Sequence, residues 1–231
     1  MSASDAIIQY PTQSFDERKA TVKALIIHYT GTPDTQSALD RYVDQNPDHA
    51  AGRISPHYVV SEAGEVFALV PEDKRAWHAG ASKWHDWEDL NSHTIGIELI
   101  NKGDVPFKDV QINALIALCK GIVARHNILP RHVLGHSDIA PGRKFDPGWF
   151  FPWQQFALNG LGVLPQEAVG QLDMQGFREI LHAYGYRDDV PDDVLVTAFQ
   201  MHFCQTEQAH AGELTPRTIA AALALHRAGL A

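Results

Sequence analysis

The feature that most constrains the fold is a mixture of short apolar runs and one long helical pattern over roughly the first 155 residues. Residues 22–30 (VKALIIHYT) and 94–100 (TIGIELI) are apolar and rich in β-branched side chains, which predicts buried strands. Residues 109–127 carry apolar side chains at helical spacing and predict the longest helix. This mixture predicts an α/β domain with a central mixed β-sheet flanked by helices.

Three further segments fit the same domain. Residues 35–46 predict a short amphipathic helix, residues 57–70 predict two strands joined by a turn, and residues 132–136 predict a short strand. Within 94–100, the alternation of a strand places Glu98 on the face opposite Ile97 and Leu99.

The C-terminal part of the chain has a different pattern. Residues 159–171 are rich in glycine and predict a linker after a first domain that spans 1–158. Residues 172–231 contain helical patterns only, and Thr215 followed by Pro216 suits the N-cap and first position of the last helix. The sequence thus predicts a small three-helix domain after the α/β domain.

Composition excludes several classes of function. The net charge of −9 argues against a general nucleic-acid binder or a binder of anionic membranes. No apolar run approaches the roughly 18 residues of a membrane span. Cys119 and Cys204 are expected to be small core residues, and no disulfide framework is implied. The N-terminal residues show no secretory signal, which leaves open a cytosolic protein, export by another route, or a removed leader.

A loop at residues 135–148 (GHSDIAPGRKFDPG) concentrates groups that can bind metal. Its glycines and prolines disfavour an ordinary helix or strand. Zinc hydrolases need three protein ligands and one open position, and His28, His136 and Asp146 can supply them from one edge of the sheet. A backbone-bonded His28 and a turn-capping Asp146 are the alternatives, and Asp138 is expected to form a local turn rather than bind metal.

Four separated stretches resemble one family, the zinc-dependent N-acetylmuramoyl-L-alanine amidases of type 2, which share their fold with peptidoglycan-recognition proteins. In order they are LIIHYTG around His28, AWHAGAS at 76–82, NSHTIGIELIN at 91–101 and the loop at 135–148. The resemblance covers roughly residues 20–155. It implies hydrolysis of the amide between N-acetylmuramic acid and L-alanine, in peptidoglycan or in soluble muropeptides.

The resemblance also implies a role for each candidate residue. His28, His136 and Asp146 would bind one Zn²⁺ per chain, Glu98 would act as the catalytic acid and base, and Lys144 would stabilise the developing oxyanion. The alternatives are a Glu98 carboxylate in an ordinary salt bridge and a solvated Lys144 in the loop.

Five further residues are implied to border the substrate groove: Trp77, His78, Ala79, Gly80 and His57. In some relatives a tyrosine precedes the histidine at the position of His57, but Pro56 stands there in this chain. A tyrosine-based mechanism is therefore disfavoured and Glu98 is the better candidate. The alternatives are that Trp77 belongs to the core and that His78 orients a metal ligand from behind.

The helical region contains ILHAYGY, AFQMHF and GELTPRTIAAAL, which are similar to a small peptidoglycan-binding module found beside wall hydrolases. The alternative is a helical bundle that only packs on the first domain. The implied partner is peptidoglycan or a muropeptide, and such a module favours the cell envelope (periplasm) over the cytoplasm. Two other functions stay open: a non-catalytic peptidoglycan sensor, and a zinc hydrolase of the same fold acting on another amide.

Overall fold

The computed structural model describes residues 7–44, 52–165 and 168–230. The strands in these segments are β1 (Ile8–Gln9), β2 (Phe15–Glu17), β3 (Ala24–Tyr29), β4 (Tyr58–Val60), β5 (Val66–Ala68), β6 (Lys74–Ala76), β7 (Thr94–Leu99) and β8 (Val133–Gly135). The helices are α1 (Thr35–Val43), α2 (Leu90–His93), α3 (Asp109–His126), α4 (His136–Ile139), α5 (Trp153–Leu158), α6 (Met174–Tyr184), α7 (Asp192–Phe203) and α8 (Pro216–Arg227). Short 3₁₀ helices cover Pro130–His132 and Gln205–His210.

Six strands form the central sheet in the order β1-β5-β4-β7-β3-β8, and β2 pairs with β6 in a separate antiparallel ribbon. In the central sheet β3 is parallel to β7 and β8, and β4 is parallel to β7. Only β4 and β5 pair in the antiparallel sense among the described strands of this sheet. The predicted mixed sheet is therefore confirmed.

The parallel pairing brings the chemically active side chains together. His28 pairs with Glu98 in the register of β3 and β7. Ile27 pairs with Gly135 on β8, and His136 follows immediately. Because parallel strands end at the same edge of a sheet, the side chains of His28, Glu98 and His136 share that edge.

One face of the sheet packs against α3. This helix forms because apolar side chains recur at helical spacing, and it ends at Asn127 in the left-handed conformation with φ of 54°. Alternate residues of β3 and β7 form an apolar cluster with the buried side of α3. Its members include Leu25, Ile27, Ile95, Ile97, Leu99, Ile112, Leu115, Ile116, Cys119 and Ile122. Each buried leucine or isoleucine contributes about 1.5–3 kcal/mol.

The opposite face packs against the C-terminal helices. A single apolar cluster contains Ala24, Ile26 and Leu134 from the sheet together with Phe177, Leu181 and Phe199 from α6 and α7. The predicted three-helix region is confirmed, and Thr215 caps α8 by accepting from the Thr218 amide. The division into domains at 159–171 stays a prediction, since both parts of the chain contribute to one cluster.

The structure adds elements that the pattern did not indicate. The ribbon strands β2 and β6 have three residues each, which is too short to display a period of two. The loop at 135–148 begins with one helical turn, α4, which fits between Gly135 and Pro141. The predicted helix 35–46 ends at Val43, and residues 45 and 46 lie outside the described segments.

The shared cluster predicts that the chain unfolds in one transition. Phe199→Ala, a change in the helical region, should lower the free energy of unfolding by about 3–5 kcal/mol. All five tryptophans lie between positions 77 and 153. Their fluorescence therefore reports on the α/β region and, through Trp84 and Trp153, on its contact with the C-terminal helices. The midpoint of urea unfolding should fall by the same amount whether it is measured by tryptophan fluorescence or by circular dichroism. An unchanged fluorescence midpoint would contradict the shared core.

Candidate active site

A cavity of about 290 Å³ opens where β3, β7 and the β8–α4 junction end. Most of the residues that the sequence singled out line it: His28, Trp77, His78, Glu98, His136, Lys144 and Asp146. Tyr29, Tyr42 and Phe145 contribute aromatic walls, and Arg143 adds a second positive charge beside Lys144. The candidate site is therefore a polar pocket with an aromatic rim at the edge of the sheet.

Three buried groups converge at the bottom of this cavity. The Nδ1 atoms of His28 and His136 are 3.0 Å apart, and Asp146 Oδ2 lies 2.8 Å from the first and 3.1 Å from the second. All three residues are buried, with exposed fractions of 1%, 3% and 6%. Asp146 reaches the site because its own carbonyl accepts a hydrogen bond from the Ser137 amide, which folds the loop back on α4.

The hydrogen bond on the far side of His136 fixes which ring nitrogen carries the proton. Its Nε2 lies 3.0 Å from the Ala79 carbonyl oxygen, which can only accept. Nε2 of His136 therefore carries hydrogen although the Arg143 guanidinium lies 3.2 Å from it, and Nδ1 is the nitrogen that is left to bind a ligand. Arg143 donates to the same carbonyl at 2.7 Å, which holds that oxygen in place.

A longer chain of hydrogen bonds fixes the His28 ring in the same way. Thr94 Oγ1 donates to the Leu90 carbonyl at 2.7 Å, so the hydroxyl accepts from His78 Nε2 at 3.2 Å. His78 Nδ1 is then an acceptor and receives hydrogen from His28 Nε2 at 3.0 Å. His28 Nδ1 is left with a lone pair that faces the other two groups.

These assignments place three electron-rich atoms together with no proton between them. Two imidazole lone pairs and a carboxylate oxygen within 3.1 Å of one another repel unless a cation lies among them. A tetrahedral zinc ion with ligand bonds of about 2.0–2.1 Å needs ligand atoms about 3.3 Å apart. His28, His136 and Asp146 thus form a potential metal site whose donor set fits zinc.

The protonation states agree with that interpretation. Burial, reinforced by the neighbouring His136, lowers the pKa of His28 to about 4. Burial opposes ionisation of Asp146, but the close approach of His136 and His28 outweighs burial and holds the pKa of that carboxyl well below its ordinary value. At neutral pH, His28 is therefore neutral and Asp146 is ionised, as metal ligands must be.

Glu98 stands beside the three converging groups without being one of them. Its Oε2 atom is buried and has no hydrogen-bonding partner in the described part of the chain. Burial raises the pKa of Glu98 to about 8, the charge of Asp146 adds to this shift, and the Tyr42 hydroxyl opposes it. A cation held by the ligands would lower this pKa, because it would offset the Asp146 charge. Glu98 is suited to exchanging a proton near neutral pH.

Two cationic side chains differ in what they contact. Arg143 is occupied by the loop, since it donates to the carbonyls of Ala79 and Ala81. Lys144 lines the cavity half-buried, and its ammonium has no hydrogen-bonding partner among residues 7–44, 52–165 and 168–230. Lys144 is therefore the cation that is available to a ligand in the cavity.

Three residues that the resemblance implied for the groove lie outside the cavity lining. His57 is fully buried, where it accepts from the Gly96 amide at 3.0 Å and donates to the Lys74 carbonyl at 3.1 Å. The Ala79 side chain is also buried, and that residue acts through its carbonyl oxygen. Gly80 is exposed, with φ of 58°, beneath the guanidinium of Arg143.

Trp77 forms part of the cavity rim and is half-buried. Its indole Nε1 donates to Asp16 Oδ2 at 2.8 Å, and the Arg53 guanidinium lies 5.0 Å from the ring centroid. These contacts fix the orientation of the indole ring at the mouth of the cavity. The position suits apolar contact with a ligand.

Two supporting residues were missed by the sequence argument. The Asn91 side chain accepts from the amides of His78 and Ala79, at 3.0 and 2.7 Å, and thereby fixes that segment. Gly96 leaves room for His78, because a Cβ at this position would lie 2.3 Å from His78 Cγ. A glycine inside an apolar strand is the signal that would have indicated such a close approach.

Comparison with known proteins identifies the family. Residues 18–149 match the family model described as N-acetylmuramoyl-L-alanine amidase. AmiD of Escherichia coli (strain K12) is 39% identical over an alignment of 238 positions, which covers 88% of this chain and 82% of AmiD. The chain belongs to the N-acetylmuramoyl-L-alanine amidase family.

Solved structures extend this similarity over nearly the whole amidase chain. A complex of AmiD from E. coli with anhydro-N-acetylmuramic acid-L-Ala-D-gamma-Glu-L-Lys matches with a TM-score of 0.79 and 37% identity over 93% of each chain. AmpDh3 of Pseudomonas aeruginosa matches with a TM-score of 0.79 and 32% identity, over 95% of this chain and 96% of its own. The similarity therefore includes the C-terminal helices as well as the sheet.

AmpD proteins match a smaller part of this amidase. The 1,6-anhydro-N-acetylmuramyl-L-alanine amidase AmpD of Enterobacter cloacae is 42% identical over 103 residues, which cover 45% of this chain and 55% of AmpD. A solved AmpD structure covers 66% of this chain and 93% of its own, with a TM-score of 0.61. The α/β region alone thus corresponds in size to most of an AmpD chain.

The hydrogen-bond chain behind His28 gives a testable prediction. Thr94→Val keeps the shape of the side chain but removes the acceptor of His78, which frees the tautomer of both histidines. Zinc affinity should fall by about tenfold. Competition with a chromophoric chelator measures the change. Thr30→Val is the matched control, because Thr30 lines the same cavity but takes no part in the hydrogen bonds that connect Thr94, His78 and His28. Equal affinity of the two variants would contradict the assignment.

A second prediction concerns pH and His57. Burial, with the Arg18 charge adding, lowers the pKa of His57 from its ordinary 6.5 to about 3. Below about pH 6.5 the unfolded chain takes up a proton that the folded chain refuses, so stability falls as the pH decreases. This one group should contribute up to about 1.4 kcal/mol per pH unit.

Urea unfolding between about pH 7 and about pH 5 tests this contribution. The pH slope should be shallower in His57→Gln than in the unsubstituted protein. His226→Gln, which replaces an exposed histidine, should keep the original slope. An identical slope in all three proteins would show that His57 titrates alike in the folded and unfolded chains.

Proposed function

We propose that this chain is a zinc amidase that hydrolyses the amide between the lactyl group of N-acetylmuramic acid and L-alanine, in peptidoglycan or its muropeptide fragments. The observation that carries the proposal is the convergence of three electron-rich donor atoms beside the unpartnered Oε2 of Glu98. Family membership supports the reaction, and the AmiD and AmpDh3 complexes with anhydromuramic peptides support the class of substrate.

His28, His136 and Asp146 are the residues that would hold the zinc ion. When bound, zinc polarises a substrate carbonyl and lowers the pKa of a coordinated water toward about 7. The chain contributes the orientation of both imidazoles, through Ala79 on one side and the His78–Thr94 chain on the other. This arrangement keeps the two Nδ1 lone pairs directed at one point before any ion arrives.

Glu98 and Lys144 are the side chains that would take part in the reaction beside the metal ligands. Glu98 Oε2 takes a proton from the attacking water and delivers it to the amine of L-alanine as the amide C–N bond breaks. The Lys144 ammonium places a positive charge beside the oxygen that becomes negative in the tetrahedral intermediate. The water oxygen ends in the lactyl carboxylate, and the peptide leaves with a free amine.

The cavity supplies surfaces for the rest of the substrate. The Trp77 indole offers an apolar face to the sugar or the peptide. We place His57 and Ala79 behind the groove rather than against substrate. The His57 ring would position His78, and the Ala79 carbonyl would position His136.

The compartment is part of the proposal. None of the helices in the described segments has the length and apolarity to span a bilayer. We place the amidase in the cell envelope, where peptidoglycan is the available substrate. Cell fractionation with an antibody to the chain tests this placement, and recovery in the cytosolic fraction alone would contradict it.

Product analysis by mass spectrometry tests the reaction. Purified sacculi and a soluble anhydromuropeptide are incubated with the protein, either with zinc or with a chelator. Peptides with a free L-alanine amine should appear only with zinc, and the faster substrate indicates the physiological one. No release from either substrate by the zinc-loaded protein would contradict the amidase and favour a peptidoglycan-binding role.

Two variants separate metal binding from proton transfer. His136→Ala should lose both bound zinc and activity while the C-terminal helices keep their circular dichroism signal. Glu98→Gln should keep zinc at full occupancy and lose turnover by about 10²–10⁴-fold, because only the proton carrier is removed. Metal analysis and initial rates on one muropeptide measure both. Full zinc occupancy in His136→Ala would contradict the ligand assignment.

A further inference from the structure

Asp138 is a fully buried carboxylate, two residues after His136. Its Oδ2 accepts from the Gly135 amide at 2.7 Å, which fixes the junction between β8 and α4. The same oxygen accepts from His202 Nδ1 at 2.7 Å, and Oδ1 accepts from the Tyr186 hydroxyl at 2.5 Å. The expected local turn is present, but two of the three donors come from the C-terminal region.

The two C-terminal donors are rigidly placed. The His202 ring is stacked between Trp153, at 3.7 Å between centroids, and Phe203, at 4.2 Å. Tyr186 is buried with its ring 5.0 Å from that of Trp84. Neither donor can follow Asp138 if the junction moves, so the network ties the junction to one position.

A buried carboxylate is stable only when its oxygens are fully hydrogen-bonded. Loss of either distant donor leaves a buried Asp138 oxygen with one hydrogen bond fewer. The nearest segment that can relax is the Gly135–His136 junction, because Asp138 holds it through the Gly135 amide. His136 would then leave the geometry in which its Nδ1 faces His28 and Asp146.

The aromatic residues of the helical region are used for packing. Phe177, Tyr184, Tyr186 and Phe199 are at most 2% exposed, and Phe203 stacks on His202. Stacking of these rings on sugars would require them at the surface. The aromatic rings of this region therefore pack inside the protein and do not form a sugar-binding surface.

We infer that Tyr186 and His202 are positioning residues for the metal site, acting through Asp138 on the segment that carries His136. The C-terminal helices would then set the metal affinity of an active site that none of their side chains touches. This inference rests on the proposed function, in that His136 is taken as a ligand of the catalytic metal.

Metal affinity measured on the full chain tests the inference. The probes are Zn²⁺ in competition with a chelator and Co²⁺ followed by its visible absorption. Tyr186→Phe removes only the hydroxyl, and His202→Phe keeps a stacking ring but removes the donor. Each should weaken zinc binding by about tenfold and alter the Co²⁺ spectrum. His202→Asn restores a donor near the position of Nδ1 and should recover most of the affinity.

A control separates positioning from loss of stability. Phe177→Leu alters the core of the same helices without touching Asp138, so it should lower the unfolding temperature and leave zinc affinity within about twofold. Equal losses of affinity in Phe177→Leu and His202→Phe would overturn the inference. So would unchanged affinity in both His202→Phe and Tyr186→Phe.

Hydrogen exchange keeps the inference testable if the proposed metal site fails. The Gly135 amide donates to Asp138, so its exchange should accelerate in His202→Phe and Tyr186→Phe relative to Phe177→Leu. A wild-type chain that binds no zinc would overturn the proposed function. Unchanged exchange at Gly135 in both donor variants would overturn the positioning role, whatever the metal result.

Discussion

The parallel pairing of β3 with β7 and β8 is the constraint on which the rest of the site depends. It places His28, Glu98 and the start of α4 at one edge, so that groups 108 residues apart in sequence come within 3.0 Å. The apolar clusters on the two faces of the sheet stabilise this strand pairing. A slip of one residue between β3 and β7 would turn Glu98 away from the cavity.

Backbone carbonyls determine what the converging groups can bind. The Ala79 and Leu90 oxygens accept hydrogen only, and they force lone pairs onto the Nδ1 atoms of both site histidines. The site is thereby prepared for a cation through hydrogen bonds that lie outside it. The same principle, applied to Asp138, connects the C-terminal helices with the segment that follows β8. If Tyr186 and His202 position His136 as we infer, metal binding and packing of the C-terminal region are linked.

The sequence predicted the parts of this arrangement that local patterns encode. Runs of β-branched residues located β3 and β7, helical spacing located α3, and the glycines and prolines of 135–148 marked the loop that returns Asp146. Contacts between distant side chains left no local signal. Asp138 meets Tyr186 and His202 across 48 and 64 residues, and no spacing within the sequence indicates such pairs. The short strands β2 and β6 were missed for a related reason, since three residues show no periodicity.

X-ray absorption at the zinc edge of the stoichiometrically loaded chain tests the central claim most directly. Two imidazoles and one carboxylate predict one zinc per chain with only nitrogen and oxygen neighbours, at about 2.0–2.2 Å, and the outer-shell scattering of two histidine rings. The ligand assignment would be contradicted by sulfur neighbours, which only Cys119, Cys204 or a methionine could supply, or by failure to bind one zinc per chain.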